Sequence, residues 1–345
     1  MAASDVEHLH QLAVHAYYVG EHDVGRRACE RLLAEPLPLE RETLVRRNRT
    51  WYTRRLDELL PCRHERIDIE PAHPGWTLFN PSLVSRDGDL DVIVRSSNYR
   101  CIDGRYVMPP EDQGRIRTES FLLRWDDVRE PRRIVGDYPR SAFVVDGLED
   151  CRLNVIDGRL RISATVRNYA GFDGLARIVE ADDAGVVQRM LPEPRPGRHE
   201  KNWMPILGRD EYLYSCHESG RVLTVAAVGD RWAILVRGPS PLLARGFRGG
   251  SQLVPVDGGW LAVVHEVSDD EGRRTYEHRF VWFDADFAIV GVSPPFAFRE
   301  PRTIEFAAGL AVVGERVLCS YGVRDEEAWI VSLGYGDLVK HRRSA

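Results

Sequence analysis

Lysine is scarce in this chain of 345 residues: Lys201 and Lys340 are the only two, set among many arginines. Basic and acidic residues number 47 and 53, a formal net charge of −6. That balance leaves no cationic excess, which argues against binding to nucleic acid or to an anionic membrane surface. No stretch approaches 18 consecutive apolar residues, so no bilayer-spanning helix is expected. The six cysteines (29, 62, 101, 151, 216 and 319) stand singly without a CxxC pair. They read as reduced thiols rather than as a disulfide framework or a zinc site. The first residues, MAASDVEHLHQ, carry acidic and His residues where a secretory signal would be basic and then apolar. These absences together predict a cytoplasmic protein. No GxGxxG follows a strand, and GxxxxGK[ST], HExxH and GxSxG are missing. His8, His10 and His15 do not share a ligand face, and no metal or organic cofactor is expected.

Turn formers and aromatics are plentiful: 29 Gly, 20 Pro, 8 Trp, 12 Tyr and 11 Phe. They are unevenly spread. Residues 1–60 read as helical, with Leu9, Leu12, Ala13, Ala16 and Tyr17 at helical spacing and Val24, Ala28, Cys29, Leu32 and Leu33 resuming it after VGEHD. The segment from Pro36 to Pro61 reads as a third, basic helix. The surroundings of Gly20 resemble one tetratricopeptide-type hairpin, which cannot bury its own apolar face and must dock. A cap on the main domain is the plainer role; the alternative is a surface for a protein partner or a second copy of the chain.

From residue 79 onward a phrase recurs five times, an apolar segment entering a tight polar turn and leaving as a strand. The copies are FNPSLVSRDGDLDVIVR, LEDCRLNVIDGRLRISAT, KNWMPILGRDEYLYSCH, GGSQLVPVDGGWLAVVH and EFAAGLAVVGERVLCSYG, with turns centred on Gly88, Gly158, Asp210, Gly258 and Gly314. A parallel β-helix needs a shorter period, and a sandwich gives no five equivalent hairpins. The pattern predicts an all-β fold, a five-bladed β-propeller over residues 63–345 with a small α-helical extension over 1–62. Equivalent positions then form rings about the axis: Asn80, Asp150, Asn202, Gly250 and Phe306 before the turns, and Arg95, Thr165, His217, His265 and Tyr321 after them. Polar residues at the ends of hydrophobic hairpins suit a site for a polyhydroxylated ligand.

At FNPSLV…VIVR, GLEDCRLN, EKNW, GGSQLVPVDGGWLAVVHE and EFAAGLAVVGERVLCSYGVRD the chain resembles, in order, the blade motifs of the β-mannoside phosphorylases and related inverting glycosidases. The resemblance covers residues 75–335. It implies an enzyme in which one carboxylic acid protonates the leaving oxygen, through a hydroxyl of the sugar, while inorganic phosphate attacks the anomeric carbon from the opposite face. On it, Asp150 matches the general acid; Arg167, Asn168, Lys201 and His265 match the phosphate site; and Asn80, Arg95 and Asp325 match sugar-holding positions. Phosphate would be a co-substrate and a glycoside or oligosaccharide the partner. Trp203 and Tyr321 are candidates for stacking on a sugar face, with propeller core as the alternative.

The chain departs from the family pattern in three places. EDPR is EDCR here, putting Cys151 beside the acid; YHG is VHE, introducing Glu266; GAAD is GVRD. Glu266, Glu305 or Glu200 across from Asp150 would let water act as nucleophile, as in an inverting hydrolase. The helical extension is also foreign to the simplest phosphorylases and suits a mannosyltransferase. A reading from another class is a non-catalytic glycan-binding propeller.

Overall fold

A computed structural model describes residues 3–102, 105–171, 173–229, 231–270 and 272–344. Strand makes up 50% of the chain, gathered mainly into five sheets, and helices are concentrated at the N-terminus. The expected boundaries at Met1 and Ala345 lie outside the described residues.

Each of the five phrases folds as an antiparallel hairpin, and the turn residues explain why. Asp87-Gly88, Asp157-Gly158 and Asp257-Gly258 have positive φ at both positions. That is the two-residue turn whose twist matches that of its flanking strands. The first sheet comprises Thr77–Arg86, Asp89–Ser97, Ile116–Arg124 and Asp127–Ile134. The second comprises Glu149–Ile156, Arg159–Val166, Arg177–Ala181 and Val187–Met190. In the third, Met204–Pro205 is followed by Glu211–Glu218, Arg221–Val228 and Arg231–Pro239. Its leading strand is short because residues 205–207 exchange backbone hydrogen bonds with Leu253 of the next sheet. The fourth is built on the long hairpin Gly259–Asp270 and Arg273–Phe283, with Arg248–Gly249 and Val254–Val256 on one side and Ile289–Val292 and Phe296–Ala297 on the other.

The fifth sheet takes Glu305–Val313, Arg316–Val323 and Glu327–Gly334 from the end of the chain. Its outermost strand is Cys62–Arg66, in register from Cys62↔Leu333 to Arg66↔Trp329. Packing between the leading strands joins fifth to first, first to second, second to third, third to fourth and fourth to fifth. Apolar side chains fill the spaces between neighbours; Val84 and Ile93 of the first sheet, for example, share a cluster with Leu153 and Ile162 of the second.

Helices α1 (Ala3–Tyr18), α2 (His22–Leu33) and α3 (Leu39–Arg49) form the N-terminal piece. Gly25, five residues beyond Gly20, has to be small, since a Cβ there would collide with the Tyr52 ring. The predicted third helix stops earlier than its sequence suggested. Tyr52 turns inward and donates its hydroxyl to the Ala13 carbonyl at 2.9 Å, and Arg54–Arg55 becomes a strand parallel to Phe296–Ala297. β-Branched Thr50 and Thr53, flanking two aromatics, favour that break. No helix among the described residues is long and apolar enough to cross a membrane.

The helices dock on the fourth sheet through buried charge. Arg49, 0% exposed, meets Glu277 at 2.6 Å and Glu266 at 3.0 Å. Arg279 meets Glu266 at 2.9 Å, Arg46 also pairs with Glu266, and Thr53 hydrogen-bonds Glu277. Burial alone would push the Glu266 carboxyl up; Arg49, Arg279 and Arg46 outweigh it and hold it far below the ordinary range.

Candidate active site

Three of the five ring positions that open the hairpins share an uncommon backbone. Asn80, Asp150 and Asn202 are all left-handed, with φ of 45°, 49° and 58°. Asn and Asp tolerate this conformation better than other side chains. In the first and second sheets the pairing register slips at the same place, between Phe79 and Ser82 and between Glu149 and Arg152. These are bulges, which re-aim a side chain. Both turn their side chains to one point: Asn80 donates its amide to Asp150 Oδ1 at 3.0 Å, and Arg95 Nη1 reaches the same oxygen at 2.8 Å.

Arg95 is itself fixed. Its Nη2 binds Glu149 at 3.0 Å and Thr118 at 3.1 Å, and its guanidinium lies 4.9 Å from the Phe79 ring centre. Arg152, 2% exposed, crosses from the second sheet to the fourth, where Nε donates to the Gly250 carbonyl at 2.6 Å. Burial pulls its guanidinium down to about 10, still charged at neutral pH. Burial pushes the Asp150 carboxyl up, but Arg95, the Asn80 amide and the charges of Arg152 and Lys201 together hold it below its ordinary value.

Asp325 stands in the same charge cluster with the opposite balance. Its backbone is also left-handed, φ 57°, and Tyr99 donates to its Oδ2 at 3.2 Å. No ion pair reaches it among the described residues. Burial pushes this carboxyl up to about 6; Arg95 offsets part of the rise and the charge of Asp150 adds to it. Two carboxyls thus share one arginine's field: Asp150, in contact with the cation, ionises, and Asp325 keeps its proton longer.

The residues matched to a phosphate site divide. His265 is 2% exposed, stacks at 5.1 Å on Tyr276, and has a buried Nδ1 without a partner. Burial, His278, Arg248 and Arg152 keep it neutral, and Asp150 is close enough to oppose them. Arg167 and Lys201 both act on His199, whose pKa burial and their charges lower, and Lys201 also acts on Asp150. The Arg167 Nε has no partner among the described residues. Asn168 is engaged elsewhere. At 1% exposure it donates to Asp146 at 2.9 Å and accepts from Tyr138 at 2.6 Å, so its amide braces a loop.

The sugar-stacking and second-carboxylate expectations do not fit these surroundings. Trp203 is buried against Tyr212 and Tyr214 and donates to Glu200 at 3.0 Å. Tyr321 is 0% exposed, stacked at 4.1 Å on Phe298 and bonded to His64 at 2.7 Å. Tyr321 packs inward because its strand presses against the fourth sheet on that side, and Trp203, just ahead of Met204–Pro205, is covered by Ile178 of the second sheet. Glu266 follows His265 in an extended strand, so it points to the opposite face, into the helix-docking network. Glu305 accepts backbone N–H groups of Phe298, Arg299 and Glu300, and burial raises it to about 7. Glu200 is held by Trp203 and Tyr214. Sequence reasoning also passed over Glu149 and Arg152, although both lie inside the LEDCR phrase, and Tyr99 and Tyr276, for which no spacing signal existed. Among the described residues, no group of three or more His, Cys, Asp or Glu could hold a metal ion.

No family profile and no curated protein matches the chain in sequence. Solved structures do match it in fold. A β-1,2-mannobiose phosphorylase from Listeria innocua, solved with β-1,2-mannobiose, is 14% identical and superposes over 84% of this chain and 98% of its own, with a TM-score of 0.51. A structure from the GH130 family of mannoside phosphorylases, described as containing glycoside hydrolases that target β-1,2 mannosidic linkages in Candida mannan, is 15% identical over 81% and 96%, TM-score 0.52. A glycosyl hydrolase from Bacteroides ovatus is 13% identical over 85% and 98%, TM-score 0.53. The fold therefore matches GH130 structures, whose architecture is a five-bladed propeller.

Proposed function

We propose that the five sheets close as the blades of a five-bladed β-propeller over residues 63–345, and that the protein is an inverting glycoside phosphorylase acting on β-mannosides or related glycosides. Asp150 is the general acid and inorganic phosphate the nucleophile. The observation that carries this reading is the convergence of Asn80, Arg95 and Arg152 on a left-handed Asp150, with Lys201 and His265 near the same carboxyl. The likeness in fold to a mannobiose phosphorylase supports the substrate class. In the reaction a proton passes from Asp150 to the glycosidic oxygen, the C1–O bond breaks, and a phosphate oxygen bonds C1 from the opposite face. The products are the free alcohol and a sugar 1-phosphate, and solvent reprotonates the carboxylate.

Asp150 is ionised at rest, so it must gain a proton before it acts. A phosphate dianion seated against Lys201 and Arg152 supplies a reason. It offsets the cations that hold Asp150 low, and the carboxyl's proton affinity rises when the co-substrate is bound. Engagement of Glu266, Glu305 and Glu200 elsewhere weighs against hydrolysis, which needs a second carboxylate to activate water. In the same reading, residues 1–62 are an extension docked on the catalytic propeller.

The test is to incubate the full chain with β-mannosides with and without inorganic phosphate and to assay sugar 1-phosphate. Phosphate-dependent release that is lost in Asp150→Asn supports phosphorolysis. Phosphate-independent turnover indicates a hydrolase, and saturable sugar binding without turnover indicates a binding propeller.

A further inference from the structure

The fourth sheet places one more cation at this site. Arg248 lies directly opposite His265 in an antiparallel pair, so both side chains leave the same face of the sheet. Phe306 links that face to Arg152: its ring centre lies 5.3 Å from the His265 ring and 5.5 Å from the Arg152 guanidinium, and the charges of Arg248, Arg152 and Asp150 all act on the imidazole. The strand is wedged where four sheets meet. A Cβ on Gly249 would strike the Asn202 carbonyl, one on Gly250 would strike the Val263 carbonyl and crowd Ala307, and Gly250 also receives Arg152. Two successive glycines let the backbone pass, and the backbone from which Arg248 projects is held by these close contacts.

Among the described residues Arg248 has neither a hydrogen-bond nor an ion-pair partner, and it is solvent-exposed. Beside it, the Nδ1 of His265 is buried and unpartnered. Buried polar atoms are ordinarily satisfied; in the tautomer that carries its proton on Nδ1, the imidazole and the guanidinium beside it are two donors that one acceptor could serve. Asn168, assigned by resemblance to this role, is occupied with Asp146 and Tyr138.

We infer that Arg248, with His265 and Arg152, binds a tetrahedral oxyanion at the mouth of the site, and that it is an anion ligand of this chain where Asn168 is not. The anion is a phosphoryl group, carried by free inorganic phosphate or by a sugar 1-phosphate. The inference rests on the phosphorolytic reading for its biological use.

Isothermal titration of the full chain with inorganic phosphate and, separately, with mannose 1-phosphate tests it. Arg248→Ala should weaken binding of whichever anion binds about tenfold or more, the scale of one lost charge-assisted hydrogen bond. Arg248→Lys should recover part of the loss, and the thermal midpoint should not move, because no protein contact is removed. Preference for one anion in the native chain identifies its source. Unchanged affinity in both Arg248→Ala and Arg248→Gln overturns the assignment while leaving the phosphorolytic reading intact. Arg248-dependent phosphate binding combined with phosphate-independent turnover keeps the assignment and removes that reading. Failure of the native chain to bind either anion removes both.

Discussion

His265 and Glu266 are consecutive residues of one strand, each 2% exposed, yet their surroundings differ in kind. On the Glu266 face every strong charge has an opposite: Arg46, Arg49 and Arg279 surround it and Arg49 is shared with Glu277, although Arg49 Nη1 and Arg279 Nη2 form no hydrogen bond among the described residues. On the His265 face the imidazole has an open nitrogen, and Arg248, directly opposite it in the sheet, has no hydrogen-bond or ion-pair partner among the described residues. Buried groups with open hydrogen bonds occur on both faces, so hydrogen-bond saturation does not separate them. Ion pairing does: one face joins two parts of the protein through matched opposite charges, whereas the other leaves Arg248 without a carboxylate among the described residues.

The largest effect should come from breaking the matched face. Glu266→Gln leaves three arginines around a neutral amide and should cost about 3 to 5 kcal/mol of folding stability in urea unfolding. A loss below about 1 kcal/mol would mean that the network contributes little to docking the helices. On the other face, Asp150→Asn should lower turnover by roughly 10²- to 10⁴-fold, the usual contribution of a positioned proton donor. Its stability loss should be smaller than that of Glu266→Gln. Equal destabilisation by the two variants would erase the contrast between the faces.

Asp325 sharpens the comparison through pH. Its proton is held to about pH 6 in the folded chain against an ordinary value of 3.8. The associated stability is intact below about pH 4 and is lost as pH rises through 6. Asp325→Asn removes that loss: it should stabilise the protein by on the order of 2 to 3 kcal/mol at pH 8 and by almost nothing at pH 4. A stability difference independent of pH would show that the carboxyl ionises normally. The smallest effect belongs to Tyr321→Phe. It deletes the bond to His64 and should cost about 1 kcal/mol while leaving the KM for a glycoside unchanged; a raised KM would put the ring back among the sugar contacts.

The phase of the five repeats was readable because turn chemistry is local: Asp-Gly pairs fix the hairpins, and counting back from them reaches Asn80 and Asp150. The meeting of Asn80, Arg95 and Asp150 follows from that count, since equivalent positions in neighbouring sheets face one another. The positions of Trp203, Tyr321, Glu266 and Glu305 were not readable. Which side of a strand is covered depends on the neighbouring sheet or on the docked helices, and no residue spacing encodes that. The engagement of Asn168 was hidden for a similar reason, because its partners Tyr138 and Asp146 come from a loop with no repeat. The outer strand Cys62–Arg66 was hidden more completely, its partner lying some 260 residues further along.

That strand also constrains how the protein is made. Residues 62–66 are synthesised some 260 residues before their partner strand, Glu327–Gly334. Until then the early segment has exposed edge groups and nothing native to pair with. The first four sheets can form as they appear, but the fifth can be completed only once Glu327–Gly334 has been made, and pairing across so long a separation is a slow step.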